Sequence, residues 1–250
     1  MRRKSVNKRI LGLLMGALIF ILILGTGTSA KDVDLQSNLE ELVKLQPGIT
    51  LEEVKETVSD YAEAVNKTEL EASNDILTEL ETQLHAYQKE REEQHTLYGG
   101  SSGNRVLPPA SRKGDIFYTP SATLGIQHGH NGIYYTTTSI VESLPSTGVR
   151  YINYRDRNVE QNAVVQYVNT SQNNRNAAAD WAKGRTGDSY SYNFATNRLT
   201  GHYGAKNCSK LLWSAFMLNG NIDIDANGGA GVYPKDIRDS SYTVTYQTIN

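Results

Sequence analysis

The periodicity of apolar residues changes once along the chain, and this change limits the fold more than any other feature. Before residue 98, apolar side chains recur every three or four positions, as in amphipathic helices. After residue 112, short β-branched and aromatic runs alternate with turn residues, as in strands. The sequence therefore predicts an α+β protein with a helical accessory segment at 31–97, a linker at 98–111 and a second domain at 112–250.

Residues 31–97 carry the signals of two or three helices. Thr50 and Glu53 form a capping-box pattern, and Pro47-Gly48 ends an earlier helix over 34–45. Weak breaks are expected at 66–68 and 72–74. The segment has about 17 acidic and 6 basic side chains, whereas residues 98–250 have about 10 acidic and 14 basic, so the two regions have different surfaces. A spacer, a prodomain and a lid over the substrate all fit this segment, and we expect it to be dispensable for chemistry.

The second domain reads as strands with two helices. The sequence of 98–104 is rich in glycine and serine, which favours a flexible connection into this domain. The two helices are expected at 174–183 and 207–218. The strands are expected at 115–119, 132–137, 139–142, 148–153, 163–168 and 242–246. Together these elements predict an antiparallel sheet packed on the second helix.

The N-terminus predicts export. Five basic residues precede an apolar run from Ile10 to about Leu24, and small residues follow, with Thr28 and Ala30 at the positions that a signal peptidase reads. An apolar run of about 15 residues is short for a membrane-spanning helix. We predict a signal peptide at 1–30 and a secreted or cell-wall-associated protein. An uncleaved membrane anchor is the alternative.

Cys208 is the single cysteine of the chain. An exported protein cannot use one cysteine for an internal disulfide, and a free thiol outside the cell is exposed to oxidation. Cys208 follows Asn207, a good helix cap, at the start of a predicted helix. Unpaired amides and the helix dipole at such a position are expected to lower the pKa of a thiol. Cys208 is therefore a candidate nucleophile, and the alternative is a buried structural cysteine.

Two histidines that enter a predicted strand are the candidate partners of this thiol. His128 and His130 alternate, so they share a strand face. Glu142 on the next strand could accept the second imidazole proton. His202 is a weaker candidate, and His85 and His95 fall in the acidic helical region. A zinc site that uses both histidines with Asp115 or Cys208 was also weighed, but no tight cluster of ligands supports it.

Four motifs follow one another in an order that resembles a known enzyme family. They are Gly114-Asp-Ile116, His130-Asn-Gly-Ile-Tyr134, Ile140-Val-Glu142 and Asn207-Cys-Ser-Lys-Leu-Leu-Trp213. This order is similar to that of the circularly permuted, YiiX-like branch of the NlpC-type papain-like cysteine hydrolases and, more distantly, to the lecithin:retinol acyltransferase family. The resemblance covers roughly residues 112–246 and implies a permuted papain-like domain with an antiparallel sheet packed on the cysteine helix.

The resemblance also implies roles for individual residues. The nucleophile falls on Cys208, the base on His130 and the orienting residue on Glu142, while Asp115 is expected to be structural. The amide of Cys208 is expected to supply part of an oxyanion hole. Tyr118, His128 and Tyr192 are the candidates for substrate contact. The additional imidazole of His128 is a departure from the family pattern.

The implied activity is hydrolysis of amide bonds in short or cell-wall-derived peptides through a thioester acyl-enzyme. Two alternatives stay open: acyl transfer or ester cleavage on a lipid with the same residues, and a catalytically inactive surface binding protein. No cofactor, no metal and no nucleic-acid partner are expected. Membrane contact is expected only through an uncleaved signal anchor, and the sequence does not indicate an oligomeric state.

Overall fold

A computed structural model describes residues 30–98, 105–123 and 126–250 of the chain. Apart from Ala30, the predicted signal peptide lies outside these residues, as do positions 99–104 of the linker. None of the helices that the structure describes is long and apolar enough to cross a membrane.

Residues 30–98, here called the helical segment, form three α-helices. They are α1 (Ala30–Leu45), α2 (Leu51–Val65) and α3 (Glu69–Tyr98). The capping box predicted at Thr50 and Glu53 is present, and Asn66 ends α2 in the left-handed conformation at φ 55°. The second predicted break, at 72–74, is wrong. Helix α3 continues through it because Asn38 of α1 donates hydrogen bonds to Ser73 and Asn74, which ties these polar residues to a neighbouring helix.

The rest of the chain, here called the strand domain (residues 105–250), is built on a six-stranded antiparallel sheet. Its strand order is β10-β9-β2-β5-β6-β7, and β1–β8 and β3–β4 form two small pairs beside it. The strands are β1 (Arg105–Val106), β2 (Ile116–Thr119), β3 (Ala122–Thr123), β4 (Ile126–Gln127), β5 (His130–Thr136), β6 (Ser139–Leu144), β7 (Gly148–Asn153), β8 (Asn158–Val159), β9 (Ala163–Val168) and β10 (Thr243–Ile249).

Three helices complete the strand domain: α4 (Gln172–Lys183), α5 (Cys208–Leu218) and α6 (Pro234–Asp239). Helices α4 and α5 pack on one face of the sheet, where Ile133 and Val141 meet Leu211 and Leu212 of α5. The opposite face carries a separate apolar cluster that includes Phe117 and Tyr134. The predicted α+β class is confirmed, and a helix that starts at Cys208 packs on an antiparallel sheet as expected.

The helical segment shares a hydrophobic cluster with the strand domain, which the sequence did not indicate. Apolar residues of α1, α2 and α3 pack in one cluster with Phe194, Ala195, Ala230, Tyr233 and Cys208. The accessory segment and the strand domain therefore share part of their core. The sequence did not indicate these contacts, because four of the five buried residues that the strand domain contributes lie in loops, whose apolar residues have no periodicity to reveal them.

Buried polar contacts strengthen the same junction. The Gln46 side chain accepts hydrogen bonds from the amides of Phe194 and Ala195, each at 3.0 Å. Glu79 accepts from the amide of Ala230 at 2.9 Å, and Gln83 donates to Asp236 at 3.0 Å. Removal of the helices would leave these groups and the apolar cluster without partners.

We expect residues 105–250, expressed alone, to fail to form a stable fold. Exposure of the shared cluster removes apolar burial worth about 25 cal/mol per Å², which is large against a typical net stability of about 5–15 kcal/mol. Circular dichroism and thermal unfolding measure the result. A chain that starts at Lys31 is the matched control, because it keeps the helices and loses only the predicted signal peptide. A cooperative transition of the shorter chain near that of the control would contradict this expectation.

Candidate active site

The start of α5 lies where two strands of the sheet separate. The pairing of β5 with β6 extends only to Ile133 and Val141. Beyond that pair, the Ser143 hydroxyl donates a hydrogen bond of 2.7 Å to the carbonyl of Lys206, two residues before Cys208. The amide of Asn131 hydrogen-bonds to the Cys208 sulfur. These two contacts place the thiol in the gap between β5 and β6, beside the first residues of β5.

A network of asparagines holds this helix start. Asn207 caps α5 by accepting a hydrogen bond of 2.9 Å from the amide of Lys210. Its amide group in turn donates to the carbonyl of Asn193 at 2.8 Å and its Oδ1 accepts from Asn197 at 3.2 Å. The cap was predicted from the sequence, but the two asparagines that fix it were missed because they lie in an irregular loop.

The structure brings together His130 and Glu142, the predicted base and its orienting residue. Nε2 of His130 lies 2.6 Å from Oε2 of Glu142. His130 is 5 % exposed and Glu142 is fully buried. Because Nε2 faces the carboxylate, Nδ1 is the ring nitrogen left free to take a proton. His130 directly precedes Asn131, whose amide hydrogen-bonds to the Cys208 sulfur, so the imidazole and the thiol belong to neighbouring segments of the fold.

Two arginines that the sequence analysis missed surround Glu142. Arg150 donates to Oε1 at 2.9 and 2.6 Å, and Nε of Arg157 lies 3.4 Å from Oε2. Burial opposes ionisation of Glu142, but the hydrogen bond from His130 and the positive charges of Arg157 and Arg150 lower its pKa to about 2. The register pairs Glu142 with Arg150, so the spacing across the β6–β7 hairpin was the signal that could have found this partner.

The thiol and the imidazole are both neutral at rest, contrary to the sequence-based expectation for the thiol. Burial raises the pKa of Cys208 to about 11, although hydrogen bonds from the amides of Asn131, Ser209 and Cys208 itself oppose the rise. Burial also lowers the pKa of His130, against the effect of Glu142. A helix start favours a thiolate, but Cys208 is 1 % exposed, and desolvation outweighs the amides.

A narrow pocket with about 30 Å³ of accessible space lies between the helical segment and the strand domain. Its wall is mainly apolar and aromatic, and three of its residues, Leu80, Phe194 and Tyr233, are also buried in the cluster that contains Cys208. The wall consists of Leu45, Gln46, Pro47, Leu80, Gln83, Leu84, Tyr87, His128, Tyr192, Phe194, Tyr233 and Lys235. The pocket therefore adjoins the cluster that buries the thiol.

The three predicted substrate contacts fall in two places. His128 and Tyr192 line the pocket, and the His128 ring lies 4.4 Å from that of Phe194. Burial lowers the pKa of His128 to about 4. Tyr118 is not among the residues of the pocket wall. It is 1 % exposed, packs with Tyr87 of that wall, and has the Arg238 guanidinium 4.7 Å from the centre of its ring, so it lies behind the wall.

Other sequence-based candidates are engaged elsewhere. Asp115 accepts hydrogen bonds from the amide of Arg112 at 3.0 Å and from the Tyr246 hydroxyl at 2.9 Å, which agrees with a structural role. His202 lies 3.0 Å from the Ser214 hydroxyl. Within the described residues, no three His, Cys, Asp or Glu side chains form a group that could hold a metal ion.

Replacement of Glu142 is expected to reduce activity, and the loss should be larger when the whole acceptor is removed than when only its charge is removed. Glu142→Gln keeps an acceptor for His130 but loses the charge, which is worth about 1 kcal/mol or more in a hydrogen bond, so we expect about a tenfold loss in rate. Glu142→Ala is expected to lose more. It also leaves two arginines unpaired near a buried site, at a cost of about 3–5 kcal/mol in unfolding free energy.

Steady-state rates and thermal unfolding of both variants check this prediction. Glu160→Gln is the control, because this carboxylate pairs with Arg91 on the outer side of the molecule. The pKa of Glu142 is lower in the folded state, so its stabilisation is present above its ordinary pKa and is lost as pH falls towards about 2. The stability of the wild-type protein should therefore fall at low pH, and the Glu142→Gln variant should lack this acid-dependent part of the stability. Wild-type activity in Glu142→Ala would leave a Cys–His dyad without Glu142.

The chain was compared with known proteins. No protein-family profile matches it. The chain is 46 % identical over 252 aligned residues to the uncharacterized protein YycO of Bacillus subtilis (strain 168), an alignment that covers 99 % of this chain and 98 % of that protein. A solved structure, that of the metalloprotein YiiX from Escherichia coli O157:H7, aligns with 57 % of this chain and 98 % of its own at 15 % identity and a TM-score of 0.42. The near-complete alignment at 46 % identity shows that the chain belongs to the family of Bacillus subtilis YycO.

Proposed function

We propose that this protein is an exported cysteine hydrolase of the permuted papain-like type that cleaves amide bonds in short or cell-wall-derived peptides. The observation that carries the proposal is the arrangement at the gap between β5 and β6. There the only cysteine of the chain starts a helix and its sulfur accepts a hydrogen bond from the amide of the residue after His130, while the imidazole is hydrogen-bonded to a buried carboxylate. A structural cysteine needs no such neighbours.

The neutral resting state defines the first step. Nδ1 of His130 takes the thiol proton as the sulfur attacks the substrate carbonyl, so that a C–S bond forms and the carbonyl oxygen becomes an oxyanion. The Cys208 amide can donate to this oxygen. The imidazolium formed in this step is stabilised by the Glu142 carboxylate, which is ionised at neutral pH.

The remaining steps return the enzyme to its starting state. His130 gives its proton to the leaving amine as the C–N bond breaks, which leaves a thioester on Cys208. The same imidazole then takes a proton from water as the water oxygen attacks the thioester. The C–S bond breaks, the sulfur recovers a proton, and a carboxylic acid is released.

The pocket supports a substrate with an apolar group near the scissile bond. Apolar walls with a few polar groups are typical of small-molecule sites, where the polar groups set orientation. His128 is neutral at physiological pH, and the contact of Nδ1 with the Gly129 carbonyl leaves Nε2 as an acceptor. Because Cys208 is 1 % exposed, the substrate must displace part of the wall between the pocket and the sulfur.

The same pocket favours a second candidate function, acyl transfer or ester cleavage on a lipid, since an alkyl chain also fits apolar walls. A matched pair of substrates separates the two: a leucyl p-nitroanilide, which is an amide, and an octanoyl p-nitrophenyl ester. Turnover of the amide supports the peptide hydrolase, whereas turnover of the ester alone supports the lipid enzyme. An inactive binding protein would turn over neither.

The thioester provides the direct test. Rapid acid quench of the protein with either substrate, followed by intact mass measurement, should show one added acyl group on the chain. Peptide mapping should locate it at Cys208, and hydroxylamine should remove it. An acyl group on another residue, or turnover with no acyl-enzyme under quench conditions that preserve thioesters, would contradict the mechanism.

A further inference from the structure

The Asn131 side chain is buried without the partners that such a group requires. Asn131 is fully buried, and among the described residues neither its Nδ2 nor its Oδ1 has a hydrogen-bond partner. A buried polar group left unpaired costs about 1–3 kcal/mol. Most buried amides in proteins are paired, so an unpaired one calls for a specific reason.

The register of the sheet places this carboxamide on the same face as the cysteine helix. Asn131 pairs with Tyr118, and Ile133 pairs with Ile116, whose side chains pack against α5. Alternate residues of a strand share a face, so Asn131 projects to the α5 side. His130 projects to the other side, towards Phe117, at 5.9 Å between ring centres.

These two side chains therefore lie on opposite faces of β5, and the backbone amide that joins the two residues hydrogen-bonds to the Cys208 sulfur. In attack on a carbonyl, the base and the group that receives the new oxyanion must approach from different directions, because the base faces the thiol proton and the donor faces the carbonyl oxygen. If His130 is the base, the Asn131 carboxamide lies on the other face of the strand, the face from which a donor to the oxyanion would approach.

We propose that the Asn131 side chain is a catalytic residue whose Nδ2 donates a hydrogen bond to the substrate oxyanion, together with the amide of Cys208. The inference rests on the proposed function and assigns the second donor of its oxyanion hole. The carboxamide gains its partner when the substrate arrives. A group kept unpaired in the resting protein lowers its stability and is preorganised for the transition state.

A reversible aldehyde and an alkylating agent separate this role from a structural one. Addition of Cys208 to N-acetyl-leucinal forms a C–S bond and turns the carbonyl oxygen into a hemithioacetal oxygen, and the thiol proton passes through His130 to that oxygen. Alkylation by iodoacetamide forms a C–S bond and releases iodide, and no oxyanion arises. The two reactions use one sulfur, but only the first needs the donor.

The variant to test is Asn131→Leu, which keeps the approximate shape and removes the donor. We expect the aldehyde to bind at least about a hundredfold more weakly, with an unchanged rate of iodoacetamide labelling and an unchanged or higher midpoint of thermal unfolding. Gln166→Leu is the matched control. Gln166 on β9 is a buried carboxamide whose Nε2 donates to the Arg238 carbonyl at 2.8 Å and to the Thr245 hydroxyl at 3.0 Å, so its replacement should lower stability and leave aldehyde binding unchanged.

Each other outcome overturns the inference. Wild-type aldehyde affinity in Asn131→Leu shows that the carboxamide does not contact the oxyanion. Equal losses in the aldehyde and iodoacetamide reactions show that Asn131 only places Cys208. A drop in stability like that of Gln166→Leu shows that the carboxamide has a structural partner. Absence of the adduct in the wild-type protein would reject the proposed function itself, whereas an adduct that Asn131→Leu retains would reject only the role of Asn131.

Discussion

Replacement of Cys208 with alanine or serine is expected to abolish hydrolysis and to leave the fold intact. Removal of a catalytic nucleophile costs roughly a millionfold in rate, because the other groups of the site have nothing to activate. A hydroxyl at the same position is a much weaker nucleophile than a thiol, because its pKa is far higher and its proton is harder to remove. Turnover of the amide and ester substrates and intact mass after acid quench measure the loss.

The fold of the Cys208 variants has to be shown independently. The side chain is small and packs at the edge of a larger cluster, so Cys208→Ala should change the free energy of unfolding by only about 1 kcal/mol. Matching thermal transitions would establish that the loss is chemical. Wild-type turnover by a folded Cys208→Ala protein would reject the mechanism and leave the alternative of a structural cysteine.

Replacement of His130 with alanine is expected to lower the rate at least about a hundredfold, whereas His128→Ala should lower it much less. His130 is hydrogen-bonded to Glu142 and lies beside the residue whose amide contacts the thiol. His128 lines the pocket and stacks on Phe194. Its loss should therefore raise KM and have little effect on kcat. Steady-state kinetics of both variants measure the two parameters separately.

Two further histidine variants sharpen this comparison. His128→Phe keeps an aromatic ring on Phe194 and should recover most of the wild-type KM. His202→Ala is the negative control, because His202 contacts Ser214 and lies outside the pocket wall. Reversed losses, with kcat depending on His128 and KM on His130, would make His128 the base.

Local patterns predicted most of the strand domain. The strands at 132–137, 139–142 and 163–168 and the helix at 207–218 appear close to their predicted positions as β5, β6, β9 and α5. Strand alternation, helix periodicity and the asparagine cap of α5 act over a few residues, so they can be read from neighbouring letters of the sequence. The break expected at 72–74 was wrong because a contact from α1, about 35 residues away along the chain, satisfies the polar side chains there.

Contacts between segments that are distant in the sequence could not be predicted from such local patterns. The helices were expected to be separable, yet they share a core with loops around Phe194 and Tyr233. Arg157 reaches Glu142 from a position after β7, and Asn193 and Asn197 hold the cap of α5 from a loop. None of these residues lies in a periodic pattern, so only the folded chain shows which of them meet.

The sequence by itself determined the elements of the strand domain and the candidate trio Cys208, His130 and Glu142. Local order along the chain specified these features. The tertiary structure alone decided the ionisation of the site and the burial of Asn131. A helix start favours a thiolate wherever it lies, but the pKa of Cys208 rises to about 11 because the helical segment and the loops cover the thiol. Desolvation depends on every segment that packs around an atom, and no local pattern encodes that sum.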